Sequence, residues 1–273
     1  MIRKFLTFFI MISLAVLTAG CKNKDNTQTN DQLSAIKKRG EIIVGVKFDS
    51  KPFGYVENGK LQGYDIDIAH LMAKRILGNE KLVKFVEVTP TNRISKLNSG
   101  EIDMIIATMT ITPKRLEVVD FSLPYYQAGQ AVMVRKGTSI RKIGDLNGRR
   151  VIIVLGTTGE KNLRYFAPEA KLQGYKSYKE GFDGFLNRKA EAMSTDDSIL
   201  AGFVIDHPEF MILPQRYTQE GYGIALRKGE ESKALMAEIN TAIGELRRKG
   251  HLNYLRSRWL PQSGAGFKSA QQD

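Results

Sequence analysis

Short apolar runs alternate with stretches of helical period along most of the chain. Ile42-Ile43-Val44-Gly45-Val46 is a continuous apolar run of strand length. Across residues 64–77, Ala69, Met72, Ala73 and Ile76 fall at i, i+3, i+4 and i+7, which is one face of a helix. Asp65 is placed to cap that helix, and Gly78 follows its end. Residues 82–88 read as a strand, 92–99 as a short helix stopped at Gly100, and 104–107 as another strand. The pattern then restarts. Residues 131–134 and 151–154 read as strands, 160–166 and 180–188 as helices. A short strand begins at Ala192, and a helix over 197–204 and a strand over 210–213 follow. Leu235, Ile239, Ala242, Ile243 and Leu246 form a late helical stripe, and Leu252, Leu255 and Trp259 form one more. Strands alternating with helices predict an α/β fold built on mainly parallel sheets flanked by helices.

An internal echo accompanies the restart. Ser99-Gly100-Glu101-Ile102-Asp103 leads into a strand ending at Thr108, and Arg188-Lys189-Ala190-Glu191 into one ending near Asp196. Open α/β sheets hold ligands at the carboxyl ends of their strands. Two facing lobes would give such an echo, and so would coincidence.

The ends have a different composition. Met1 to Lys4 is short and positive, residues 5–19 are almost continuously apolar, and Leu17-Thr18-Ala19-Gly20-Cys21 closes the segment with small residues. That is the order of a signal peptide over 1–20. The apolar stretch is short for a membrane span, which needs about 20 residues. Cys21 is the only cysteine, so an intrachain disulfide and a cysteine metal site are excluded. The segment resembles a bacterial lipobox, with Thr18 where leucine is usual. The resemblance implies lipidation of Cys21 and an extracytoplasmic protein anchored to the bacterial cell membrane. Residues 21–32 then form a flexible polar tether, and 262–273 a polar tail.

The formal net charge of +12 raises the question of a nucleic-acid partner. Lysines and arginines are scattered, and the densest group, Arg247 to Lys249 with Arg256 and Arg258, sits on helical patterns as a solvated face. No nucleic acid is expected. His70, His207 and His251 lack ligand spacing, so no metal is expected either. There is no G-x-S-x-G elbow, and Gly156-Thr157-Thr158-Gly159 lacks the lysine of a phosphate loop. This last segment is either a simple turn or a helix start offering N–H groups to a carboxylate. Thr108, Thr110 and Thr112 alternate after a buried strand, and Arg115 follows Pro113. Hydroxyls with an arginine fork suit a carboxylate, although threonine in a strand also follows from β-propensity.

LQGYDIDIAHLMAKRILG, GEIDMIIATMTITPKRLEVVDFSLPYY, VLGTTGEKN, STDDSILAGF and YGIALRKG occur in that order. Together they resemble the polar amino-acid class of bacterial substrate-binding proteins that serve ABC transporters, over residues 33–261. The same core is shared with the ligand-binding domains of ionotropic glutamate receptors. The resemblance implies a two-lobed, periplasmic-binding-protein-like (type II) fold. Residues 33–128 and 220–261 would form lobe 1 and residues 129–219 lobe 2, closing on the ligand. It implies that Arg115 pairs with the ligand α-carboxylate and that Thr108 and Thr110 hold the α-carboxylate and α-ammonium. Thr157 and Thr158 would add donors from the second lobe, and Asp196 would accept from the ammonium. It implies a monomeric binding protein, not an enzyme, without cofactor, whose partners are a free amino acid and permease subunits.

Lys47 and Arg93 bear on the ligand side chain. Arg93 resembles the arginine of acidic-amino-acid binders, and Lys47 stands where glutamine- and basic-residue-binding relatives often carry an acid. Two cations and no evident extra acid favour glutamate or aspartate, unless both side chains face solvent. Glutamine is the rival ligand, and a dehydratase on the same scaffold is the remoter alternative. Ser50 replaces an aromatic residue that many relatives stack on the ligand; Phe48 and Phe53 could stand in for it or belong to the core.

Overall fold

The structure, a computed structural model, describes residues 31–260. The signal segment, Cys21, nearly all of the tether and the polar tail lie outside the described residues. Two five-stranded sheets organise the rest. The first runs in the order Val83–Glu87, Ile42–Val46, Met104–Ile105, Ala225–Arg227, Val119–Phe121. The second runs Lys171–Tyr175, Arg150–Val154, Ala192–Asp196, Gln130–Arg135, Phe210–Ile212. In each sheet the first three strands are parallel and the fourth is inverted, pairing antiparallel on both sides. The echo read from the sequence falls on the third strand of each sheet, Met104–Ile105 and Ala192–Asp196.

The chain passes between the sheets twice. The two passages lie side by side, Tyr126–Ala128 against Glu220–Tyr222, in antiparallel pairs Glu220↔Ala128, Gly221↔Gln127 and Tyr222↔Tyr126. A small hairpin sheet of Asp49–Ser50, Gly54–Glu57 and Lys60–Gln62 leans from the first lobe over the cleft.

Periodicity explains the helices. In Lys233–Arg248, Leu235, Ile239, Ala242 and Ile243 are buried along one face. Each fully buried leucine or isoleucine contributes roughly 1.5–3 kcal/mol relative to exposure. Helix Tyr64–Leu77 ends in left-handed Gly78, as its sequence requires. Its start differs from expectation. Gly63 is the N-cap, and Asp65 makes no cap bond there. The Asp65 side chain turns into the protein instead, where it accepts from Tyr125 Oη at 2.9 Å and from the Thr108 N–H at 3.0 Å. The helix read as 180–188 runs Tyr178–Leu186. Ser177 caps it by accepting from the Glu180 N–H, which brings Tyr178 into the first turn.

Candidate functional site: the cleft between the lobes

The carboxyl ends of four strands meet in the cleft. Lys47 follows Ile42–Val46, and Thr108 and Thr110 follow Met104–Ile105. From the other lobe, Gly156 to Thr158 follow Arg150–Val154 and lead into helix Gly159–Phe166, while Asp196 ends its strand. A crevice of about 1120 Å³ opens beside them, lined by Thr91, Ile94, Arg115, Gly156, Thr157 and Thr158 among others.

Thr108 is the most constrained residue here. Its φ is +46°, a left-handed conformation that β-branched residues rarely adopt. The Asp65 carboxylate holds its N–H, and its buried Oγ1 has no partner among the described residues. Burial pushes the Asp65 carboxyl up to about 7, against the opposing bonds from Tyr125 and Thr108.

Arg115 donates through Nη1 to the Thr110 carbonyl at 2.7 Å. Through Nη2 it donates across the cleft to the Gly156 carbonyl at 3.0 Å. Burial lowers its pKa, and the charges of Glu220 and Asp196 oppose that. Asp196 accepts from Gln130 Nε2 and from Tyr222 Oη. Burial and then the neighbouring Glu220 charge push its carboxyl up to about 7.

The deeper end carries two cations. Arg93 is 3% exposed and donates through Nη1 to the Ala107 carbonyl at 2.9 Å, while its buried Nε is unpartnered among the described residues. Burial, then the Arg115 charge, lowers its pKa to about 9. Lys47 is 1% exposed, with Nζ 3.6 Å from Asp49 Oδ1 and 4.2 Å above the Tyr178 ring. Burial lowers the Lys47 pKa to about 8, although Asp49 pulls the other way.

Glu220, on the second passage between the lobes, joins both sides. Its Oε2 accepts from Thr110 and Thr158, both at 2.7 Å, and its Oε1 from Asn162 at 2.8 Å. Titratable and hydroxyl groups of both lobes thus converge without any cluster of His, Cys, Asp or Glu, among the described residues, that could hold a metal.

The family pattern of bacterial extracellular solute-binding proteins, family 3, matches residues 42–262. The chain belongs to that family. The ABC transporter glutamine-binding protein GlnH of Bacillus subtilis (strain 168) is 37% identical over 265 residues, covering 94% of this chain and 96% of the relative. A glutamine-binding protein of Geobacillus stearothermophilus is 41% identical over 212 residues, covering 77% and 81%. Among solved structures, the cysteine-binding protein of Campylobacter jejuni superposes with a TM-score of 0.81 at 32% identity, covering 87% of this chain and 98% of that one. An ancestral arginine-binding protein bound to glutamine does so with a TM-score of 0.75 at 37% identity, covering 81% and 98%. The two-lobed α/β architecture is therefore that of this solute-binding family, whose members named here are binding proteins and not enzymes.

Within this solute-binding fold, Lys47, Arg93, Thr108, Thr110, Arg115, Thr158 and Asp196 all come to the cleft. Thr157 does too, but its hydroxyl is engaged locally, donating to the Val154 carbonyl at 2.7 Å and accepting from the Gly159 N–H. Neither Lys47 nor Arg93 faces solvent. The expectation of two cations without an acid is corrected by Asp49, which the sequence reading passed over. Phe53 is core, packed edge-on against Tyr64, Tyr126 and Tyr222, and Phe48 packs against the same cluster. The aromatic face in the cleft is Tyr178, from the other lobe. Gln130, Glu220 and Tyr222 were also missed. Glu220 and Tyr222 stand beside or within the YGIALRKG segment, where an acid next to a motif was the available signal.

Proposed function

We infer that the chain captures a free polar amino acid, glutamine first, by closure of its two lobes, and delivers it to the permease of an ABC importer. The observation that carries this reading is the pairing of an arginine fork with a buried carboxylate at one end of the cleft. Arg115 suits an α-carboxylate, and Asp196 suits an α-ammonium. A zwitterion leaving water needs a partner for each charge. The names of the two glutamine-binding relatives favour glutamine over the acidic ligands. The cleft supports the same choice, since Asp49 already neutralises one of the two cations. Glutamate is the second reading, favoured by the unpartnered Nε of buried Arg93.

The reading includes lobe 1 as 33–128 with 220–261 and lobe 2 as 129–219. It also includes a monomer held to the membrane by a lipid on Cys21. Calorimetric titration of the twenty amino acids tests the ligand. Glutamine is expected to bind most tightly, with glutamate next, and tighter glutamate binding by the wild type would reverse that order. Arg115→Ala should weaken every amino-acid ligand by at least about a hundredfold, since breaking one side of a buried charge pair costs roughly 3–5 kcal/mol. A loss below about tenfold would remove Arg115 from the site.

A further inference from the structure

Asp49 touches three things at once. Its Oδ1 lies 3.6 Å from Lys47 Nζ and accepts from Ser50 Oγ at 3.0 Å. Its Oδ2 reaches across the cleft and accepts from the backbone N–H groups of Tyr178 at 2.9 Å and Lys179 at 3.4 Å. Those N–H groups open the nine-residue helix Tyr178–Leu186, whose N-terminal end favours an anion. The Tyr178 ring lies under the same ammonium that Asp49 neutralises.

We propose that Asp49 sets the side-chain selectivity of the cleft: by pairing with Lys47 while docking on the opposite helix, it leaves a ligand side chain only one of the two cations to meet, which shifts selectivity away from a carboxylate and toward an amide. The inference rests on the reading of the cleft as an amino-acid site with glutamine as first ligand. A side-chain carboxylate would meet Arg93 and an already neutral Lys47–Asp49 pair, with the Asp49 charge nearby. An amide asks for no full counter-charge, and Arg93 Nε supplies a donor to its oxygen. Selectivity is a difference between two affinities, and a repulsive charge set against the wrong ligand contributes to it as much as a contact to the right one. The pairing also shows in the titration of both partners. Asp49 raises the Lys47 pKa that burial lowers. Burial would raise the Asp49 carboxyl, but Lys47, the Ser50 hydroxyl and the two N–H groups hold it below its ordinary value.

The two functions of Asp49 separate in a cycle of variants. Glutamine and glutamate affinities are measured on the full chain for wild type, Asp49→Asn, Lys47→Met and the double variant. Losing the latch weakens both ligands alike, so the ratio of the two affinities is the readout. Asp49→Asn should move that ratio toward glutamate by about tenfold or more, equivalent to about 1.4 kcal/mol. In the Lys47→Met background the same change removes an unpaired negative charge and should again move the ratio toward glutamate, so that the double variant returns close to the wild-type ratio. An unmoved ratio in Asp49→Asn, with both affinities falling together, overturns the proposal. Should the Asn variant fail to fold, Asp49→Ser removes the charge with a smaller side chain. Failure of the ligand reading shows separately, as a wild type that binds neither amino acid. The side-chain NMR titration of Lys47 then decides the pairing by itself. Asp49→Asn should lower its midpoint, and an unmoved midpoint overturns the proposal.

Discussion

Asp196 is 4% exposed and titrates near neutrality, so its charge in the empty cleft depends on pH. An ammonium arriving beside it stabilises the carboxylate and lowers its pKa in the complex. The sign follows from linkage: below about 7, binding must expel a proton from Asp196, and affinity falls as pH falls, by at most about tenfold per unit. Above about 7 the group is already ionised and this dependence flattens. Calorimetry in two buffers of different ionisation enthalpy should find close to one proton released on the acid side. Asp196→Asn should bind weakly and lose the slope. A slope that survives in that variant would place its origin elsewhere, with Asp65 the next carboxyl at about 7.

At the scale of elements, glycines let the two lobes approach closely, most tightly at Gly202. A Cβ added to Gly202, in helix Asp197–Asp206, would stand 2.0 Å from the Lys51 carbonyl oxygen of the other lobe. Nearby, Lys51 Nζ reaches Asp206 Oδ2 at 3.1 Å. Gly202→Ala should therefore leave each lobe folded but hold that rim open. We expect an affinity loss of at least about tenfold for every ligand, with an unchanged glutamine-to-glutamate ratio. In small-angle scattering the ligand-saturated variant should remain more extended than ligand-saturated wild type. Equal profiles with equal affinity would mean that the helix shifts cheaply. Elements with one buried face were legible from sequence alone, as in Tyr64–Leu77 and Lys233–Arg248, because burial imposes the 3.6-residue period. What failed was long-range. Asp65 has the sequence position of a cap, yet its partners are Tyr125 and Thr108, about forty or more positions away. Likewise nothing local reveals that helix Tyr178–Leu186 will dock on Asp49. Arg115, Asp196 and the threonines were recognisable because their motifs are contiguous; the acids around Lys47 and the hinge gather only on folding.

Cys21→Ser should leave the fold and amino-acid binding intact while releasing the protein from bacterial membranes. Retention after a high-salt wash would remove the lipid from the account and point to an uncleaved apolar segment.

The doubled passage between the lobes has a mechanical consequence. Tyr126–Ala128 and Glu220–Tyr222 are bonded to each other through three consecutive residue pairs, so neither can bend without the other. A force on either lobe is then resolved as torque about one axis, and stretching or sliding meets two covalent strands in parallel. Such a joint has close to a single degree of freedom. Lobe closure about such a joint would bring the same rims back to the same register each time, and Asp49 on one lobe back to the Tyr178 and Lys179 N–H groups on the other.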